Sequence, residues 1–210
     1  MKRKVLVLVL AALVAGGAFA DSMLSAGGGF SFSGGRIGGL SYDDGFMGNN
    51  ALGFGGHVFF DARFAEASIG IMGGPVNAVM IYDGDRETER VGSLLSMELS
   101  LLGKFPIDLG AVTFFPLLGI GANIVLSGSD EDGNDVDDVD EFSTFRIKLG
   151  VGADFGITES VFFRVTGLGW YGFAPEIYRD LADFMNAFGA NVNAAGGFGG
   201  SLRLAVGFRF

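Results

Sequence analysis

A chain of 210 residues with 37 glycines, 22 phenylalanines and a formal net charge of −10 is long enough for one domain with a sizeable interior. It has no cysteine, which excludes disulfides and thiolate metal sites, and its acidic balance argues against nucleic acid as a partner. Mean hydropathy is positive, +0.43, yet past residue 20 no apolar run reaches the length of a transmembrane helix.

Lys2, Arg3 and Lys4 precede an apolar stretch over residues 5–14, and Ala18-Phe19-Ala20 fits a small-x-small cleavage site. This is the pattern of a secretory signal peptide. As helix, residues 5–17 would span roughly 20 Å, short of the ~30 Å hydrocarbon core. The expected division is a signal peptide over residues 1–20 and one domain over residues 21–210.

The first expected strand covers residues 23–34, with Leu24, Ala26, Phe30 and Phe32 on one face. Residues 35–51, rich in Gly, Asp and Asn, read as a long loop. The second strand, residues 52–62, sets Phe54, Val58 and Phe60 against His57, Phe59 and Asp61. A tight turn at Arg63-Phe64 leads to a third strand, where Ala65, Ala67, Ile69 and Ile71 oppose Glu66, Ser68, Gly70 and Met72, continuing irregularly to Tyr82. Residues 83–92 read as a charged loop. The fourth strand, residues 93–105, alternates Leu95, Met97, Leu99 and Leu101 with Ser96, Glu98 and Ser100. After a turn over residues 106–110, a fifth strand over residues 111–126 shares Phe114, Leu118, Ile120, Ala122 and Ile124 on one face. Residues 127–142 form an acidic loop.

The sixth strand, residues 145–156, alternates without a break: Phe145, Ile147, Leu149, Val151, Ala153 and Phe155 against Arg146, Lys148, Gly150, Gly152, Asp154 and Gly156. A turn over residues 157–160 precedes a seventh strand over residues 161–171. A long segment, residues 172–197, leads to the last strand, residues 201–210. There Leu202, Leu204, Val206, Phe208 and Phe210 oppose Ser201, Arg203, Ala205, Gly207 and Arg209.

Eight strands joined in the order long, short, long, short, long, short, long match an antiparallel up-and-down transmembrane barrel with short periplasmic turns and longer external loops. Energetics assign the faces. A basic side chain against hydrocarbon costs ~2–4 kcal/mol near the midplane, so the Phe, Ile and Leu faces turn to lipid. Arg146, Lys148, Asp154, Arg164, Arg203, Arg209, Lys104, Glu98, Asp61 and Glu66 then turn inward, where a paired network is expected.

Three segments invite chemistry. Residues 130–141 hold eight carboxylates and no cation. As a calcium loop, Asp130, Asp132, Asn134, Asp138 and Glu141 fall at ligand positions, but Asp135 stands where a glycine is required, so a solvated, self-repelling loop is expected. Residues 175–188 carry Ile177, Leu181, Phe184, Met185 and Phe188 at helical spacing. A short helix there could lie on the membrane interface or cap the lumen. His57, the single histidine, faces the lumen four residues from Asp61 without a recognisable nucleophile setting. No catalytic, cofactor-binding or metal-binding residue is assigned, and no cofactor is expected.

With these features the chain resembles small eight-stranded bacterial outer-membrane β-barrels of the OmpX/OmpW-like kind. The terminal strand, residues 145–156 and Pro116-Leu-Leu-Gly-Ile-Gly-Ala122 carry the likeness. The resemblance implies a cell outer-membrane location, and the lack of a nucleophile setting around His57 leads to the expectation of no enzyme activity. It also implies roles in passage of small hydrophobic molecules, adhesion or envelope integrity. Fold does not choose among these. One reading is a structural or surface-interaction barrel whose acidic external loops meet outer-membrane lipid, lipopolysaccharide, divalent cations or host surface molecules. Another is a narrow passive channel for small hydrophobic solutes, favoured by lumen glycines Gly53, Gly55, Gly150, Gly152 and Gly156. A third is a soluble lipocalin-like binder, which requires the two faces reversed.

Overall fold

A computed structural model describes residues 24–43, 45–137 and 139–210. The expected signal peptide lies outside them. In chain order the strands are β1 (Leu24–Tyr42), β2 (Gly45–Ala62), β3 (Ala65–Tyr82), β4 (Asp85–Lys104), the two-residue β5 (Ile107–Asp108), β6 (Val112–Ser129), β7 (Thr144–Gly156), β8 (Val161–Gly172) and β9 (Asn193–Arg209). Apart from β5, each pairs antiparallel with the next. β4 pairs with β6 past β5, and β9 closes on β1. The ring of eight long strands has no free edge, the condition for strands to cross hydrocarbon with their backbone satisfied. A single helix among the described residues, α1 (Glu176–Ala187), joins β8 to β9, where the 3.6-residue spacing expects one.

The side chains are sorted opposite to a soluble protein. Phe30 is 72% exposed and Leu149 64%, while Lys148 is 1% and Asp61 2% exposed. Every strand obeys this because a one-residue slip would expose its charges and bury its apolar set. The finding removes the lipocalin-like alternative, which needs apolar residues inside. Aromatic residues cluster at two heights of the outer wall. Phe155, Phe163 and Phe208 mark the lower level, Phe145, Tyr171 and Phe198 the upper, eight to ten residues further along the same strands. At ~3.3 Å per residue and a tilt near 40°, that spacing makes a band roughly 25 Å tall, the height of a barrel's lipid belt.

The long connections differ from expectation. Residues 35–51 are not a loop: β1 and β2 run through them and turn near Asp43. Residues 83–92 are likewise mostly strand. Asp83 (φ 49°) and Gly84 (φ 87°) make a two-residue turn, and β4 begins at Asp85. Both central residues take positive φ, the demand of a twist-matched hairpin that Asp-Gly meets at low cost. Strands β1–β4 have 18–20 residues, β7 and β8 only 13 and 12. One side of the wall therefore rises well above the lipid belt, and the other stops near its upper rim. On the low side the chain continues as a 3₁₀ turn (Val139–Phe142) before β7 and as α1 after β8.

Candidate functional site

Among the described residues, charge, burial and several strands converge in the lumen. Alternation aims one residue in two inward, and barrel closure brings strands distant in sequence face to face. At the lower end Arg164 (β8) is the hub. It donates from Nε and Nη2 to the two oxygens of Asp154 (2.6 and 2.7 Å), from Nη2 to Asp61 (2.6 Å) and from Nη1 to Glu66 (2.8 Å). Lys104 Nζ reaches the same Asp61 oxygen at 2.5 Å. The bidentate grip on Asp154 is one that only a planar guanidinium can make.

The second layer inverts the charges. Glu98 (β4) is the carboxylate, and three cations surround it. Lys148 donates to it at 2.7 Å and to Ser100 at 2.6 Å, Arg203 hydrogen-bonds it, and Arg146 stands at 3.6 Å. Arg203 also donates to Ser68 (3.0 Å) and lies 3.9 Å from Glu66, tying the two layers. All these expected lumen charges are therefore brought together. Arg209, also expected there, sits half-exposed at the rim over the Phe162 ring.

Aromatic rings fill what the charges leave. Phe59, Phe115, Phe162 and Trp170 lie against Gly27, Gly152, Gly207 and Gly35, where a Cβ would collide with each ring. The lumen glycines thus hold no free passage. Phe115 takes the space at Gly152, Leu168 that at Gly150 and Met72 borders Gly53, while Gly55 abuts the Ile71 carbonyl and Gly156 is at the exposed rim. The rings also stack on the cations. Arg164 lies 4.4 Å from the Phe59 centroid, Lys104 4.1 Å from Phe115 and Arg146 3.9 Å from Trp170. Such contacts range from ~0.5 kcal/mol at exposed sites to ~2 kcal/mol when desolvated.

His57 is in the lumen as expected, but its partner is not Asp61. Its Nδ1 lies 2.9 Å from the Ser31 hydroxyl, and its ring stacks on Phe59. Asp61 is committed to Arg164 and Lys104. Among the described residues no carboxylate hydrogen-bonds the Ser31–His57 pair to orient it for nucleophilic chemistry, and Ser31, paired in register with Arg203, is buried.

Above the network a cavity of about 50 Å³ is lined by Ser33, Met72, Ser96, Asn123, Arg146 and Trp170 among others. By the ~10–15 Å³ each water needs, it has room for a few waters. Helix α1 covers it. A bulge at Arg36/Gly38 reverses the alternation of β1, so that Gly38, Leu40 and Tyr42 face inward. Tyr178 and Pro175 nest on Gly38, and Leu40, Tyr178, Ala182 and Val192 form the buried centre of the cap. The inward stripe is thus Ile177, Tyr178, Ala182 and Met185. Leu181, Phe184 and Phe188, expected on the same apolar stripe, face out, with the Phe184 and Phe188 rings tilted against each other at 5.0 Å.

Burial in this cap pushes the Tyr178 phenol up to about 12. A free tyrosine ionises near ~10. Below that value the phenol is neutral in both states and the cap keeps its full stability; as pH rises through the raised value, the buried hydroxyl must charge and the cap loosens. Phenolate absorbance should therefore show one tyrosine titrating late, and a Tyr178→Phe variant should lack that phase.

In the acidic loop Asp130 accepts from the Asn134 backbone N–H (2.8 Å) and side-chain amide (3.0 Å), which hold its carboxyl below the ordinary range. Asp138 lies outside the described residues. The remaining expected calcium positions do not converge: among the described residues no three metal-ligating side chains gather.

No family model matches the chain, and no curated protein matches it. Solved structures do. Neisserial surface protein A is 14% identical over 89% of this chain and 97% of its own, with a TM-score of 0.47. A major outer membrane protein from Thermus thermophilus is 16% identical over 87% and 99%, with a TM-score of 0.45. Ail, the attachment invasion locus protein of Yersinia pestis, is 14% identical over 90% and 99%, with a TM-score of 0.40.

Proposed function

We propose that the protein is a closed outer-membrane barrel with a structural and surface-directed role, exported by residues 1–20 and without catalytic activity. One observation carries this reading: the lumen-facing side chains of the network are dry. Lys148, Asp61, Arg164, Phe115 and Phe162 are all 3% exposed or less, whereas a water-filled path would leave its lining wet. Above the seal, the acidic loop and the carboxylates of the β4 end favour cationic partner surfaces, an attraction that salt screens.

The test is conductance in planar bilayers alongside flux of a small hydrophobic dye into vesicles. Silence in both is expected. Reproducible openings would establish a channel instead. Amino-terminal sequencing of the envelope-bound protein should begin at Asp21, and retention on a poly-lysine surface should fall with added salt.

A second reading, lateral passage of small hydrophobic solutes, has one observation in its favour. An open cleft of about 260 Å³ lies where β4 bulges against β6, and it shares Gly73, Gly74 and Leu94 with the internal cavity. Dye flux without conductance, abolished by Leu94→Trp, would select it.

A further inference from the structure

The upper end of β4 reads Asp85-Arg86-Glu87-Thr88-Glu89-Arg90. Register sorts its charges by face. Glu89 pairs with Ala78, and Ala78 with Asn49, on the face that turns to the cap, so Asp85, Glu87 and Glu89 look into the mouth. Arg86 and Arg90 consequently look outward.

The outward face of the raised wall continues this pattern. One rung crosses four strands as Arg36, Asn50, Asn77 and Arg90, and its next member beyond β1 is Phe198 of the upper aromatic level. Arg86 stands four residues further up β4 on the same face, on the rung of Phe46. Between the lipid belt and the turns, no acidic residue among the described residues shares this face. Arg36 is held in place: its guanidinium lies 3.7 Å from the centroid of Phe46 and 5.5 Å from that of Phe198. The Phe46 ring reaches it by lying back over Gly39 and Gly48, where a side chain would block it. Among the described residues none of the three arginines takes part in a salt bridge, although every lumen cation of the network does.

We infer that Arg36, Arg86 and Arg90 on the outer face of β1–β4 form a binding surface for the phosphate groups of anionic outer-leaflet lipid. This rests on the membrane-barrel reading above, which fixes where the face lies. Cations continuous with the top of an apolar belt meet acyl chains below and headgroup phosphates at their own height. Arginine suits that partner because its planar donors pair with phosphate oxygens two at a time, and the flanking asparagines add neutral donors. Sending the carboxylates of the same strand inward removes the repulsion that would otherwise cancel the attraction.

The test compares the refolded full chain with the variant Arg36→Gln/Arg86→Gln/Arg90→Gln. Lipid retention is measured by native mass spectrometry with phosphatidic acid and phosphatidylcholine as probes. The unmodified chain should retain phosphatidic acid about tenfold more tightly than phosphatidylcholine, and the triple variant should lose that preference. A Glu87→Gln/Glu89→Gln variant, altered on the opposite face, should keep it. An unchanged preference in the triple variant, or no preference in the unmodified chain, overturns the inference. So does displacement of the lipid by equimolar inorganic phosphate, which would mark a site for free anions. Refolding is read separately from the heat-dependent gel shift of barrels. If neither chain refolds into vesicles, the membrane reading fails first and this inference with it.

Discussion

Replacing Arg164 with methionine should destabilise the barrel by about 3–5 kcal/mol, the usual loss when one partner of a buried ion pair is removed. Methionine keeps most of the stem volume, so the effect is electrostatic. Asp61 and Asp154 would be left in a dry interior with Lys104 as their nearest cation, and Glu66 with only Arg203 at 3.9 Å. Carboxylates in that position must gain protons or admit water, and either loosens the lower seal. Arg164→Lys should lie between the two, because one ammonium cannot repeat the bidentate contact to Asp154. Combining Arg164→Met with Asp61→Asn and Glu66→Gln should recover much of the loss, since the neutral amides can share hydrogen bonds. Urea unfolding in detergent, followed by the fluorescence of Trp170, the single tryptophan, measures each term. An Arg164→Met barrel as stable as the parent would mean that the network fills space without contributing stability.

How much of this could be read beforehand depends on the range of the interaction. Alternation is local, so the faces of residues 145–156 and 201–210 were legible residue by residue. The paired phenylalanines carried a further signal. In Phe59-Phe60, Phe114-Phe115 and Phe162-Phe163, one ring must point to lipid and the other into the lumen, where Phe59, Phe115 and Phe162 are buried. Three large rings in so small a lumen already spoke against the passage suggested by its glycines. The hairpin at Asp83-Gly84 was equally local, an Asp-Gly pair between alternating segments, but the charges over residues 85–90 masked a strand. Strands beyond a lipid belt need no apolar face. The partners inside the network were not legible. Arg164 meets Glu66 and Asp61 from about a hundred positions away in the chain, and which lumen residues share a layer follows from the stagger of the closed ring, which no single strand encodes. The bulge that turns Gly38 and Leu40 toward the cap was hidden for a related reason: it is a relation between β1 and its neighbours.

The second large effect belongs to Glu98. Glu98→Gln should destabilise the barrel by a similar ~3–5 kcal/mol, because Arg146, Lys148 and Arg203 would share a dry layer with no carboxylate of their own. Ser68 and Ser100 can still accept from Arg203 and Lys148, but a hydroxyl supplies a dipole where a full charge is missing. Water entering to solvate three cations would open the layer that separates the cap from the lower hub. The two variants therefore leave excess charge of opposite sign in different layers, negative in the lower hub for Arg164→Met and positive around position 98 for Glu98→Gln. If the network is the seal, any leak through the first should prefer cations and any leak through the second anions, read as reversal potentials of opposite sign across a salt gradient. Removing Lys148 as well, as Glu98→Gln/Lys148→Met, should restore part of the stability and weaken the anion preference. Equal selectivity in both single variants would mean that current runs around the charged layers, and the dry network would then not be what closes the barrel.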